Sequence, residues 1–350
     1  VTAGTVSNEL TMKRSASYLD ELRDCHLCEH RCGVNRLDEE RGVCRVGVPE
    51  VASAQLHPAP PESYTVFMAG CNYKCVGCQN WTISQYPDNG LLMRGYIEPA
   101  ELAAECVAAL NSPAGRRMGA DRIFFSGGEA TIHLPYIEEV VREARTIDPQ
   151  VKVNFDTNGF MTEESLRRVL GFTTSITFDI KAYREETHRA LTGAPSAPVL
   201  RNAEIVGREA PEKLWEYRVL VIPYMNENEI EHICRFVAEI NTDLPVNFLA
   251  FRPNFLAENH PGASAALMER CVATARSCGL KDVSWSGYTS LPGRVEPPVE
   301  ELRGKYDNAE ALIAASYAFS AGCGTHPRDC THCSAREACP VKRYEPSRVT

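Results

Sequence analysis

"YTVFMAGCNYKCVGC", residues 64–78, decides how the rest of the chain is read. The first seven residues are rich in β-branched, aromatic and apolar side chains, the signature of a buried strand. Cys71, Cys75 and Cys78 follow at once, spaced C-x3-C-x2-C. Three thiolates are one fewer than the four that close a structural metal site. Soft sulfur donors select zinc or an iron–sulfur cluster. A 4Fe–4S cluster on three cysteines leaves one iron free for an outside ligand. The competing interpretation is a zinc ion whose fourth ligand is a distant His or Cys.

Outward from this loop, strands and helices alternate. Strand-type runs are "RIFFSG" (122–127), "VKVNFDTNG" (151–159), "SITFDIKA" (175–182), "YRVLVIP" (217–223) and "VNFLAF" (246–251), with "KDVSW" (281–285) as a further short one. Helical patterns fall at 99–110, 136–145, 163–170, 229–240 and 265–279. Six main strands with helices between them predict a parallel α/β fold. Polar residues collect where strands end: 126–129, 156–158, 179–181 and 252–254. Ligands of α/β folds bind at those carboxyl ends.

The 350 residues carry a net charge of −9 with no Lys/Arg-rich run, so nucleic acid is not the expected partner. No secretory pattern and no apolar run of membrane-spanning length is seen, which predicts a cytoplasmic protein with no membrane partner. Three regions are expected: a Cys-rich N-terminal part over 1–60, a barrel over 61–290 and a Cys-rich extension over 291–350. "HPAPPES" (57–63) is a linker or turn into the first strand.

Fifteen cysteines is a high count where disulfides are rare, and eleven fall in three groups. Cys25, Cys28, Cys32 and Cys44 have the spacing C-x2-C-x3-C-x11-C, enough for a tetrahedral metal or a cluster. His26 and His30 are spare donors expected to be exposed. Cys323, Cys330, Cys333 and Cys339 form the last group, with His326 and His332 as substitute ligands. The spacing does not choose among zinc, iron and a cluster at the first group; an auxiliary iron or iron–sulfur site is a candidate at each group. Cys106, Cys234, Cys271 and Cys278 stand apart as small buried hydrophobes.

From about 64 to 255 the chain resembles radical S-adenosylmethionine enzymes, in particular the pyruvate formate-lyase activating enzymes. The resemblance implies a partial (β/α)6 TIM-like barrel with Cys-rich extensions at both ends. It implies a 4Fe–4S cluster on Cys71, Cys75 and Cys78, whose free iron chelates the amino and carboxylate groups of S-adenosylmethionine. The reduced cluster, fed by a one-electron donor, then releases a 5′-deoxyadenosyl radical. "SGGEA" (126–130) is similar to the family segment at the methionine amino group, which assigns Gly127, Gly128 and Glu129 to the cofactor, with Glu129 as an anion for the ammonium. "DTNG" (156–159) places Asp156 and Asn158 near ribose and methionine; the alternative is an Asx turn closed by Gly159. "FDIKA" (178–182) places Asp179 and Lys181 on one side of a strand, the lysine anchoring the carboxylate; the alternative is a simple ion pair. The family's usual aromatic before the third cysteine is here Gly77. Tyr73 or Trp81 would then support adenine, or Gly77 leaves room for a second large ligand.

The extra cysteine groups and the C-terminal extension resemble the layout of methanogen enzymes that use cobalamin to methylate a glutamine of methyl-coenzyme M reductase. The resemblance implies a protein C-methyltransferase with cobalamin as a candidate cofactor and a protein or peptide substrate. No D-x-H-x-x-G cobalamin sequence is present. The alternative is an activating enzyme that forms a glycyl radical on a partner. A non-catalytic iron–sulfur carrier would have no use for a Gly-Gly-Glu strand end. Tyr18, Tyr73 and Tyr183 are phenols that either pack or pass a proton near the cluster.

Overall fold

The computed structural model describes residues 17–84, 93–257 and 260–287. The C-terminal cysteine group and all of the expected extension lie outside these. Among the described residues eight strands make a mostly parallel α/β fold of the expected partial-barrel class. The six main expected strands are β2 (Ser63–Met68), β3 (Arg122–Gly127), β4 (Lys152–Thr157), β5 (Ser175–Asp179), β6 (Leu214–Val221) and β7 (Val246–Ala250). "KDVSW" contributes β8 (Val283–Ser286). β1 (Val51–His57) was not expected. It is Ala- and Ser-containing and half-exposed, and it pairs antiparallel with β2 from Val51↔Met68 to His57↔Ser63. "HPAPPES" is therefore the turn of a hairpin.

The described residues fall into two compact units. The first runs through Asn72 and from Asn80 to Ile176. In it β2, β3 and β4 are parallel neighbours in sequence order. Helices Pro99–Asn111 and Leu134–Ile147 supply the crossovers. Each step moves to the next strand without reversal, as in a barrel and unlike a doubly wound sheet. Val66, Ile123, Phe125, Val153 and Phe155 are fully buried in these strands. The N-terminal lobe belongs to this unit: Thr162 N–H donates to Leu27 O at 3.2 Å, and Cys28 bridges Met161.

The second unit holds Tyr73 to Gln79 and the residues from Thr177 on. Here β6, β7 and β8 are parallel neighbours, again in sequence order. Helices Glu185–Thr192 and Ala197–Glu209 lie between β5 and β6 and were not expected. The fully buried Glu229 carboxylate fixes the start of the first of these. It accepts from Tyr183 N–H at 3.0 Å, Arg184 N–H at 2.9 Å and Thr187 Oγ1 at 3.0 Å, and pairs with the Arg184 guanidinium at 2.5 Å. An acid at a helix N-terminus satisfies amides that have no partner within the helix. The end of the same helix holds the cysteine loop: Lys74 N–H donates to Thr192 O at 2.9 Å and Val76 N–H to Leu191 O at 3.2 Å.

Cys106, Cys234 and Cys271 are buried as expected, whereas Cys278 is half-buried. Among the described residues no helix is long and apolar enough to cross a membrane. Replacing Glu229 by Ala strands two backbone amides and a guanidinium. The expected loss is about 3 kcal/mol of stability, seen as a lower midpoint in chemical unfolding.

Candidate functional site

The first unit contributes Cys71 and the segments that end β3 and β4. Gly128 N–H donates to Met68 O at 3.0 Å and Glu129 N–H to Gly70 O at 3.0 Å, which lays Gly-Gly-Glu against the residues leading into Cys71. A Cβ on Gly127 would lie 2.2 Å from the Met68 carbonyl oxygen, and one on Gly128 1.9 Å from that of Gly70. Backbone meets backbone at both positions, so only glycine fits.

Glu129 is 2% exposed. Its carboxylate accepts from Thr131 N–H at 3.1 Å, Thr131 Oγ1 at 2.5 Å, Thr157 Oγ1 at 2.7 Å and Asn158 N–H at 2.8 Å. Burial pushes its pKa up against the pull of these four donors. The side chain expected to face an ammonium is thus engaged in joining the ends of β3 and β4. Asn158 extends the join: its Nδ2 donates to Asn72 Oδ1 at 2.7 Å and stands 3.9 Å from Cys71 Sγ. Its Oδ1 accepts from Phe160 N–H at 3.0 Å, so the Asx turn is also present. Asp156, half-buried, accepts from Ser126 Oγ at 2.6 Å.

The second unit holds Cys75 and Cys78. Val76 between them is 1% exposed and packs with Ile222, Met225 and Phe251. On β5 the Asp179 carboxylate takes Lys181 Nζ on one oxygen and Arg218 Nε on the other, each at 2.7 Å. Burial alone would raise the Asp179 pKa, but Arg218 and Lys181 outweigh it and hold it at about 2. Asp179 thus stands between two cations. Lys181 is opposed by burial yet held above its usual range by Asp179 and by Cys75. As a free thiol Cys75 is pushed up to about 12 by burial, with Lys181 pulling the other way. A metal must therefore displace its proton. Arg218 was missed in the sequence, although an arginine inside the apolar run "YRVLVIP" was a visible signal.

Gly77 does not open a space. A Cβ there would stand 2.9 Å from Phe251 Cε2 and 3.6 Å from Ile222 Cδ1, and Phe251 is fully buried. An aromatic ring does pack at this position, supplied from the end of β7. The expectation of room for a corrin beside Gly77 is corrected accordingly. Tyr73 is 1% exposed and meets His188 edge-on at 5.7 Å. Tyr18 pairs with Tyr96 through their hydroxyls, and Tyr183 stacks on His232 at 5.9 Å.

Cys25, Cys28, Cys32 and Cys44 line one cavity of the first unit. His26 is exposed and bonds Asp24 at 2.9 Å. His30 is not exposed as expected: half-buried, it donates Nε2–H to Asn72 O at 2.8 Å, beside Cys71. Among the described residues no three His, Cys, Asp or Glu side chains already stand as a metal-binding set. Cys323, Cys330, Cys333, Cys339, His326 and His332 lie outside the described residues.

Residues 65–237 match the Radical SAM superfamily. It is 26% identical over 253 residues to an uncharacterized protein of Methanocaldococcus jannaschii, covering 70% of this chain and 71% of that one. A second uncharacterized protein of the same organism is 26% identical over 341 residues, covering 88% of this chain and 93% of that one. The isethionate sulfite-lyase activating enzyme of Desulfovibrio desulfuricans is 31% identical over 114 residues, 32% of this chain and 36% of that enzyme.

Gly77→Ala is expected to cost about 1–3 kcal/mol through overpacking against Phe251. Phe251→Leu in the same chain should recover part of that loss, giving a double-mutant cycle with favourable coupling. Asp179 has a folded pKa below its unfolded value of about 3.9. Its contribution to stability is therefore complete above about pH 4 and is lost as pH falls toward about 2. The stability gap between the parent and Asp179→Asn should narrow over that window and stay constant above it.

Proposed function

We propose that this protein is a radical S-adenosylmethionine enzyme acting on a protein substrate, with Cys71, Cys75 and Cys78 as the three ligands of a 4Fe–4S cluster. The observation that carries this is the backbone fit of Gly127 and Gly128 against the residues leading into Cys71. That fit ties the approach to Cys71, the first thiol of a loop suited to iron–sulfur ligation, to the end of β3. When bound, the cluster supplies one-electron cleavage of S-adenosylmethionine to a 5′-deoxyadenosyl radical. The chain's own groups orient. Glu129 holds the ends of β3 and β4 in register, Asn158 and Asn72 hold Cys71, and Asp156 offers an acceptor for hydroxyls of the nucleoside. The cations Lys181 and Arg218 beside Asp179 suit the methionine carboxylate. A one-electron donor completes the set of partners.

Hydrogen abstraction from a substrate backbone, forming a glycyl radical on a partner enzyme, is the reading we favour. Its support is the similarity to the isethionate sulfite-lyase activating enzyme. Cobalamin-dependent C-methylation of a glutamine in methyl-coenzyme M reductase is the second reading. It rests on the two outer cysteine groups, since the space expected at Gly77 is filled by Phe251.

The anaerobically reconstituted, reduced protein should convert S-adenosylmethionine to 5′-deoxyadenosine and methionine. Cys75→Ala should lose about four irons per chain and this turnover while keeping its circular dichroism; unchanged turnover would overturn the radical assignment. Uptake of a corrin, seen by its visible absorption, would favour methylation over activation.

A further inference from the structure

Arg36 is the largest fully buried side chain among the described residues, at 1% exposure, and none of its side-chain bonds among them goes to a carboxylate. Nε donates to the carbonyls of Val46 at 3.0 Å and Gly47 at 3.1 Å. Nη1 donates to Ile132 O at 2.6 Å and reaches Cys25 Sγ at 3.7 Å. Nη2 has no hydrogen-bond partner among the described residues. A guanidinium buried among neutral carbonyls is costly unless an anion stands near it. The cavity it lines contains four cysteines and no acid. Neutral thiols do not supply the missing charge.

Cys25 Sγ already receives an N–H donor, the Arg36 guanidinium at 3.7 Å. An N–H donor directed at sulfur is the outer-shell partner that metal–thiolate centres use. Gly42 brings backbone against the same group: a Cβ there would lie 2.7 Å from Cys32 Sγ.

We propose that Cys25, Cys28, Cys32 and Cys44 bind one divalent metal ion as four thiolates, and that buried Arg36 is the fixed counter-ion of this centre. Four thiolates on a divalent ion carry a net charge of −2, which supplies the anion Arg36 lacks. Closing on the ion takes side-chain rotation of cysteines that already line the cavity. Each bound thiolate releases its proton to solvent, and no electron is transferred. The centre has a structural consequence within its unit. Leu27, Cys28 and His30 are bonded to Thr162, Met161 and Asn72, so the metal fixes the lobe that braces the chain next to Cys71.

The test uses the full chain with Cys71, Cys75, Cys78, Cys330 and Cys333 replaced by Ala. The radical cluster is then absent, and the outcome is independent of the function proposed above. The metal-free protein is titrated anaerobically with Co2+. One Co2+ per chain is expected, with the intense visible bands of a tetrahedral cobalt tetrathiolate, displaced by Zn2+. Adding Cys28→Ser should weaken the thiolate charge-transfer bands. Adding Arg36→Met should keep the band positions but weaken affinity about 10–100-fold, with Arg36→Lys recovering part of the loss. Absence of tetrathiolate bands in protein with parental circular dichroism would overturn the site. So would bands that Cys28→Ser leaves unchanged. Full affinity in Arg36→Met would overturn the counter-ion. Reconstitution with iron and sulfide to about four irons per chain, lost in Cys28→Ser, would replace the single ion by a cluster.

Discussion

The Glu129 carboxylate is the constraint on which the candidate site depends. It is buried, and it satisfies donors from the turn after β3 and from the end of β4. Parallel strands in one sheet fix their neighbours along the ladder but leave the loops beyond their carboxyl ends free. Glu129 removes that freedom for two loops at once. Its own amide is bonded to Gly70 O, one residue before Cys71. Asn158, whose amide it accepts, holds Asn72, one residue after Cys71. One buried charge thereby positions the first thiol from both sides.

The second unit solves the same problem with different groups. The remainder of the cysteine loop is fastened by backbone bonds to Leu191 and Thr192 and by Val76 in an apolar cluster. Glu229 at the other end of that helix acts as Glu129 does, as a buried acceptor of several amides and hydroxyls. Asp179 differs because two cations, Lys181 and Arg218, share its two oxygens.

Much of this was legible in the sequence. Strand type, order and the polar strand ends follow from apolar runs and from the residues that interrupt them, which is local information. The cysteine spacing and Gly-Gly-Glu were legible because a few residue types at fixed distances carry the chemistry. What was hidden depends on contacts distant in sequence. Phe251 fills the place of the aromatic missing at position 77 from more than 170 residues away. His30 turns inward because Asn72 O lies beside it, and Arg36 is buried by a lobe whose fold no periodicity announces. β1 escaped because an exposed-faced edge strand of Val, Ala, Ser, Gln and Leu has little β-propensity of its own and forms only by pairing with β2.

In the proposed function S-adenosylmethionine meets an iron that the protein leaves without a cysteine. Electron-nuclear double resonance on the reduced protein, with S-adenosylmethionine labelled with nitrogen-15 at the amino group and carbon-13 at the carboxylate, reads that contact directly. Hyperfine coupling of both labels to the cluster spin, absent in Cys71→Ala, is the predicted result. A cluster spectrum that does not change when the labelled compound is added at saturating concentration would contradict the account.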